Sequence, residues 1–505
     1  MSHDLTRAPR ITTSPPAKLA RQLGLLGLTA TGVCAMVGAG INVIPFMIQR
    51  SVPGIGPYVL PAFALATVPV VLAALVYAML ASAMPRAGGT YIYASRGLHP
   101  YLGFVASFSQ WFALCVAIGV VAYVLVPFLR DIAVTTGWHD VANALERGPV
   151  RLAIPLAVLW TAIGVNLRGL TLYERLVVPL MFLTFALGAI VIVAGFAFDQ
   201  ADFAAALAAR AGGDIPDLTA PPFSVTRLLT ASAVLFASFI GFDAIAQAGG
   251  EAANPGRDLP LSIALAVGSV AIFYMLFAAA VYHAVPWSYI AAEASRRDLT
   301  APGLLGYLLP PFWTVLIVGA AAIALIKDLP PMLLSVSRLM FAWAEDGIFP
   351  RAVAAVHPRS RTPHVAILAS GVMATLSVIG SHIAGDFFLG VDILVTAMLV
   401  NFLLMAVTVL TLPKRNPLLA RSITVLRSPR LRATLAAIGV IVLTLYLGVH
   451  TVKDLTAPAA AWYFRSTYLW GVVLAAGSVI YWREVRGLRR QGLDLRERFS
   501  RLPLD

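Results

Sequence analysis

Apolar stretches of about twenty residues recur along this chain from Leu25 to Tyr481, parted by short polar turns. Lipid offers the backbone no hydrogen-bond partners, so each such stretch must pair its own N–H and C=O groups, as a helix does. Only 12% of the residues are charged, against roughly a quarter in a soluble domain. The chain therefore reads as an all-α integral membrane protein of about twelve transmembrane helices. The expected spans are Leu25–Met47, Tyr58–Ala83, Tyr101–Leu129, Leu152–Val165, Leu176–Phe198 and Thr226–Ala248. They continue with Leu261–Val285, Phe312–Ala342, Val365–Ile383, Ile393–Leu412, Ala433–His450 and Tyr468–Tyr481. The polar stretches between them are too short to enclose a soluble core. Residues 1–22 form an inner tail, 23–412 a ten-helix core, 413–482 two further helices, and 483–505 a basic inner tail.

The formal net charge is +13. With twelve spans and the N-terminus inside, 26 of the 37 Lys and Arg fall on the inner side. That asymmetry is the positive-inside rule and places both termini on the cytoplasmic face of the cytoplasmic membrane. The basic clusters Lys414–Arg432 and Arg483–Arg501 face the anionic inner leaflet, so the expected charged partner is membrane lipid and not nucleic acid. The first apolar run is too long for a cleavable signal. Cys34 and Cys115 lie inside apolar stretches as small core residues, with no disulfide or metal pairing expected. The sequence shows no His, Asp and Glu cluster with metal spacing and no nucleophile beside a base, so neither an enzyme, a cofactor nor a metal is expected.

Two of the apolar stretches are interrupted. Gly38-Ala39-Gly40-Ile41-Asn42 divides the first, and Ile240-Gly241-Phe242-Asp243 the sixth. Gly and Asn are poor helix residues, each costing up to about 1 kcal/mol against Ala. A break at membrane depth also frees backbone groups that something polar must satisfy. Gly-x-Gly alone also fits a close contact between helices. Two breaks at matching places in two halves, however, point to the binding site of a secondary transporter. The breaks lie five helices apart. An odd offset inverts the second unit of five helices relative to the first, a 5+5 inverted repeat with discontinuous helices one and six and two extra helices.

Four stretches carry a resemblance to a family. They are Val37-Gly38-Ala39-Gly40-Ile41, and Met84-Pro85-Arg86-Ala87-Gly88-Gly89-Thr90-Tyr91. The third is Phe239-Ile240-Gly241-Phe242-Asp243 with Glu251, Asn254-Pro255 and Arg257-Asp258-Leu259-Pro260. The fourth is Ser337-Arg338 followed by Asp346-Gly347-Ile348-Phe349-Pro350 and Thr362-Pro363. In this order the chain resembles the amino acid–polyamine–organocation transporters, and within them the bacterial relatives of cationic amino acid transporters. The resemblance implies alternating access around a midplane site. A half-helix amino end attracts a carboxylate. By resemblance these N–H groups are at Ala39, Gly40 and Ile41, and carbonyls near Ala237 and Ile240 take the ammonium. Met36, Gly38, Asn42, Phe236, Phe239, Gly241 and Asp243 complete the expected site. Ala237 stands where family members often carry an aromatic, leaving Phe236 or Phe239 as lid. Asn42 stands where Phe is usual, and Met79 where many members have Glu.

Ionisable residues within spans are costly and are functional candidates. Asp243 reads either as a proton or cation site or as a cap of the resumed half-helix. Lys327 and Asp328 fall near the middle of helix eight, before Pro330-Pro331. Adjacent helical residues point about 100° apart, so the two are not expected to pair with each other. By resemblance they lie at the level where sodium-coupled relatives hold sodium. Some proton-coupled members place a Lys from helix five there, but helix five of this chain carries none. Lys327 is therefore expected to supply the ammonium, and a desolvated Lys exchanges protons readily. A permanent structural pair with Asp243 or Asp328 is the other reading. Asp392 reads as a cap, and Ser107, Ser109, Gln110, Thr396 and Asn401 as path-lining residues or helix glue. Glu251 with Arg338 reads as an inner gate or a surface pair. The expected function is proton-coupled transport of amino acids by a monomer or homodimer. Amino acid/polyamine exchange or an amine permease is the alternative, and a channel a more distant one.

Overall fold

Why the chain does not run as uninterrupted rods is visible from its first span. In the computed structural model, which describes residues 19–384, 387–457, 462–492 and 495–503, helix α1 (Leu25–Met36) stops at Val37 and α2 (Ala39–Ser51) starts afresh. After the turn around Gly54 and Gly56, α3 (Val59–Ala83) crosses back, and the Gly-Gly loop leads into α4 (Gly89–Gly97). Next come α5 (Pro100–Thr135), the short α6 (His139–Glu146), α7 (Gly148–Arg168) and α8 (Leu170–Ala197). Then α9 (Gln200–Ala211) lies in the stretch expected to be a loop, started by a capping box between Asp199 and Asp202.

The second interrupted span follows. It is α10 (Val225–Leu235), a 3₁₀ turn over Phe236–Phe239, and the single turn α11 (Ala244–Gln247). Helix α12 (Pro255–Ala284) leads to two short helices, α13 (Trp287–Ala294) and α14 (Ala301–Leu305). The chain continues through α15 (Pro311–Glu345), α16 (His364–Ala384), α17 (Phe387–Arg415) and α18 (Pro417–Arg421). It ends with α19 (Pro429–Thr456), α20 (Ser466–Arg490) and α21 (Leu495–Ser500). Pro100, Pro255, Pro311 and Pro429 open four of these helices, where the missing N–H has no intrahelical partner to lose.

Among the described residues there is no strand, only isolated bridges joining Leu23 to Ala252 and Ala87 to Ala248. Among the described residues, ten helical segments are long and apolar enough to cross a membrane, with α1 and α2 forming one of them. The sixth expected span is not among the ten, because its apolar part, Val225–Phe239, is too short. The last expected span lies in α20, which is not among the ten either and continues to Arg490, absorbing the start of the basic tail. Most of the expected N-terminal tail lies outside the described residues.

Helices α5 and α15 pack along each other at the centre of the molecule, and α17 and α16 pack against α5. The first break meets α15, α12 and α8, while the second meets α3 and α15. Pro330 and Pro331 lie within α15 without ending it. Each proline removes the N–H that the carbonyl four residues earlier would accept. Asn166 of α7 donates to the Pro330 carbonyl at 3.2 Å, tying this weakened turn to the wall of the core.

Candidate functional site

At the first break, almost every freed carbonyl has an identifiable partner. Lys327 Nζ donates to the carbonyl of Cys34 at 3.2 Å and to that of Val37. Tyr274 of α12 donates its hydroxyl to the Met36 carbonyl at 2.6 Å. Asn42 Nδ2 reaches back to the Gly38 carbonyl at 3.0 Å. The backbone of Gly241 lies so close to Ala35 that a Cβ on Gly241 would overlap the Ala35 carbonyl group. The first break is thus held by side chains of α12 and α15, and the bare Gly241 brings the second break against it.

The second break is tied differently. Ile240 is extended and Gly241 takes φ +137°, a left-handed conformation that favours glycine. Asp243 is wholly buried, accepts the Gly241 N–H at 3.2 Å and accepts a hydrogen bond from Gln110 Nε2 of α5. Gln247 Nε2 donates to Gln110 Oε1 at 3.2 Å and to Thr90 Oγ1 at 2.7 Å. Tyr77 joins Thr90 at 2.8 Å, and Asn401 donates to the Tyr77 hydroxyl at 2.8 Å. One chain of polar groups therefore runs from α17 through α3, α4, α11 and α5 to Asp243. Asp243 does not cap α11 with its side chain, and among the described residues it makes no ion pair with Lys327.

Between the breaks lies a cavity of about 70 Å³. Met36, Gly40 and Ile44 line it from the first break, and Ala237, Ser238 and Ile240 from the second. Leu114 of α5, Leu394 of α17, and Asp328 and Met332 of α15 help close it. Among the described residues that line it, Asp328 is the only charged one. Its carboxylate lies against Gly38, where a Cβ would overlap it.

Four of the expected substrate-binding residues, Met36, Gly40, Ala237 and Ile240, meet at this cavity with Asp328 of the expected coupling group. Gly38 is the N-cap of α2, and Ala39 begins that helix. Ile41 and Asn42 face a small neighbouring gap beside Thr184 of α8. The two lid candidates are packed away from the cavity: Phe236 against Phe402, with ring centroids 5.9 Å apart, and Phe239 against Phe63 and Tyr274 at 5.2 Å. Lys327 and Asp328, expected not to pair, lie 3.0 Å apart. The long lysine stem bends toward the first break, and Asp328 reaches the same place from the neighbouring position. Of the possible path-lining residues, Ser107 and Ser109 accept hydrogen bonds from Trp343 and Trp470. Thr396 bonds Ser466 at 3.0 Å, so these residues join helices and do not line the cavity.

Asp392 lies beyond the first turn of α17 and pairs with Lys453 of α19 at 3.0 Å, instead of capping its helix. Arg338 holds Glu251 through two hydrogen bonds, at 2.5 and 3.1 Å, with both side chains buried, so this is no surface pair. The Glu251 carbonyl also accepts the N–H groups of Gln22 and Leu23. Sequence reasoning missed Ser238, and it missed a second buried pair: Arg96 of α4 grips Asp346 at 2.5 and 2.9 Å. Arg96 lies within α4 and Asp346 follows the end of α15, and no local sequence pattern joins them.

Two helices that break where their backbone groups converge on a small cavity are the arrangement found at the binding sites of secondary transporters. The chain belongs to the amino acid permease family, whose model matches residues 23–474. That family lies within the superfamily its motifs resemble. The chain is 28% identical to human cationic amino acid transporter 4 over 70% of its own length and 54% of that protein. It is 27% identical to the branched-chain amino acid permease BcaP of Bacillus subtilis over 81% of its length and 84% of that protein. An uncharacterized transporter of Mycobacterium tuberculosis is 31% identical over 74% of this chain and 77% of its own. The chain spans little more than half the length of the human transporter it matches.

Proposed function

We propose that this protein moves amino acids across the cytoplasmic membrane as a secondary active transporter working by alternating access, with the proton as coupling ion. In this reading the chain makes twelve spans. Helices α1–α2 and α10–α11 are the discontinuous first and sixth members of a 5+5 inverted repeat, and both termini lie inside. The family and the relatives named for amino acids support the substrate class. One observation carries the coupling: the Lys327 ammonium lies on the carbonyls of Cys34 and Val37, where a monovalent cation would otherwise satisfy the broken helix. A lysine in that place brings its charge as a bound proton and leaves a sodium ion no work to do.

An amine substrate is the second reading. It is favoured by the lone carboxylate of Asp328 among the cavity-lining residues. Uptake of radiolabelled amino acids and amines into proteoliposomes separates the two. The first reading expects amino acid uptake driven by an inward proton gradient and indifferent to sodium. Uptake confined to amines would replace it with the second.

A further inference from the structure

We propose that residues 498–503, which follow α20, form a latch of the chain upon itself: docked, they hold shut the exit from the second break, and their release sets the pace of transport. The idea rests on the transport reading above, in which this side of the molecule faces the cytoplasm.

Four ties from separate parts of the chain hold the segment down. Arg498 of α21 donates to the carbonyl of Glu345, the last residue of α15, at 3.0 Å. Asn416, just before α18, donates to the Ser500 carbonyl at 2.9 Å. Arg96 Nε of α4 donates to the Arg501 carbonyl, and Arg86 Nε in the loop before α4 to the Pro503 carbonyl, each at 3.2 Å. Between these ties the Phe499 ring covers the Arg96 guanidinium, its centroid 5.5 Å from Cζ, and is itself only 5% exposed. A guanidinium against an aromatic face is attracted more strongly when water is kept away. The segment thereby also seals the pair of Arg96 with Asp346, an attraction that is worth little once it is exposed to water.

The ties converge on the parts that must separate. Arg86 shares its loop with Ala87 and Gly88. Ala87 bridges Ala248, and the Gly88 N–H donates to the Gln247 carbonyl at 3.1 Å. A Cβ on Gly249 would meet the Arg86 carbonyl oxygen at 2.8 Å, so the loop and the exit of the second break touch backbone to backbone. The loop is thus fastened to that exit on one side and to the segment on the other. Helix α15 is fastened to the same exit through Arg338 and Glu251, and to the segment through Glu345. Opening the cavity on this side parts the exit from α15. The docked segment spans both, so it favours the closed arrangement by the free energy of its own docking. A short surface segment held by a few ties comes away locally without unfolding the helices beneath it, which makes the latch releasable.

The test compares the full-length wild type with Phe499→Lys, which sets a second cation against Arg96, and with Arg498→Ala. The latter removes the tie to α15 at a partly exposed position and serves should Phe499→Lys fail to fold. Backbone hydrogen exchange at residues 86–92 and 345–350, and the initial rate of amino acid counterflow, are read in the same proteoliposomes. Both variants should exchange faster at both stretches. Arg498→Ala should carry amino acids about fivefold faster, the rate equivalent of one ordinary hydrogen bond, and Phe499→Lys at least as fast. Phe499→Tyr keeps the ring and should match the wild type in both readouts. A merely damaged protein loses rate, so a gain separates release from harm. Faster exchange with a rate at or below wild type, or unchanged exchange in both variants, overturns the latch and leaves amino acid transport standing. A wild type without amino acid counterflow overturns the transport reading, and the latch with it.

Discussion

Lys327 Nζ lies 3.2 Å from the carbonyl oxygen of Cys34, although 293 residues of chain separate the two. The contact joins the middle of α15 to the last turn of α1, and the Val37 carbonyl and Asp328 complete the cage around the ammonium. Removing the amine leaves two carbonyls and a carboxylate buried without it. Lys327→Ala should destabilise the protein by about 3–5 kcal/mol. Uptake in this variant should no longer respond to pH. Thermal unfolding in detergent and uptake across a pH series check the two effects. Wild-type uptake that keeps its pH response in the variant would refute the role given to Lys327.

Arg338 of α15 is pinned to Glu251, in the turn before α12. Both side chains are almost fully buried, at 1% and 0% exposure, so a single truncation strands a charge. Arg338→Ala and Glu251→Ala should each cost about 3–5 kcal/mol. The double variant should cost clearly less than the sum, with a coupling of about 1–3 kcal/mol. A thermal-stability cycle over the four proteins measures this. Strict additivity would mean that the pair does not act as a unit.

Gly241→Ala meets two obstacles. Its φ of +137° is strained for any residue with a Cβ, and the added carbon would overlap the Ala35 carbonyl group. The strain alone is worth about 1–3 kcal/mol. Unfolding temperature and transport rate should fall together. A variant of wild-type stability would show that the breaks need not approach so closely.

Asp243 accepts from both the Gly241 N–H and the Gln110 amide and does not line the cavity. Asp243→Asn keeps one acceptor oxygen, so one of the two donors is left unpaired at a cost of about 1–3 kcal/mol. Amino acid KM should stay within about twofold, less than 1 kcal/mol of lost binding. A large rise in KM would return Asp243 to the substrate site.

Much of this arrangement is legible in the sequence. The interruptions at Gly38 and Gly241 stood out because glycine weakens a helix and because the two breaks recur at matching places in the two halves. Lys327 stood out because a charge at that depth requires a partner. What stayed hidden depended on side-chain reach and on tertiary neighbours. The angle between adjacent helical positions argued against a Lys327–Asp328 pair, yet a long flexible stem overrides that angle. Phe236 and Phe239 looked like lids, but their faces are taken by Phe402, Phe63 and Tyr274, residues far off in sequence. Arg96 and Asp346 are 250 positions apart, and no local pattern joins them. The sixth span fell short of membrane length because its break consumes several residues as 3₁₀ and turn structure.

The central claim is that the lysine ammonium of α15 stands in for a coupling cation at the broken first helix. A pH-sensitive dye inside sodium-free proteoliposomes tests it most directly. Adding an amino acid that the protein transports should acidify the lumen of vesicles carrying the wild type and leave unchanged those carrying Lys327→Met. Acidification of equal size in the variant, or amino acid entry that requires sodium and moves no protons in the wild type, would contradict it.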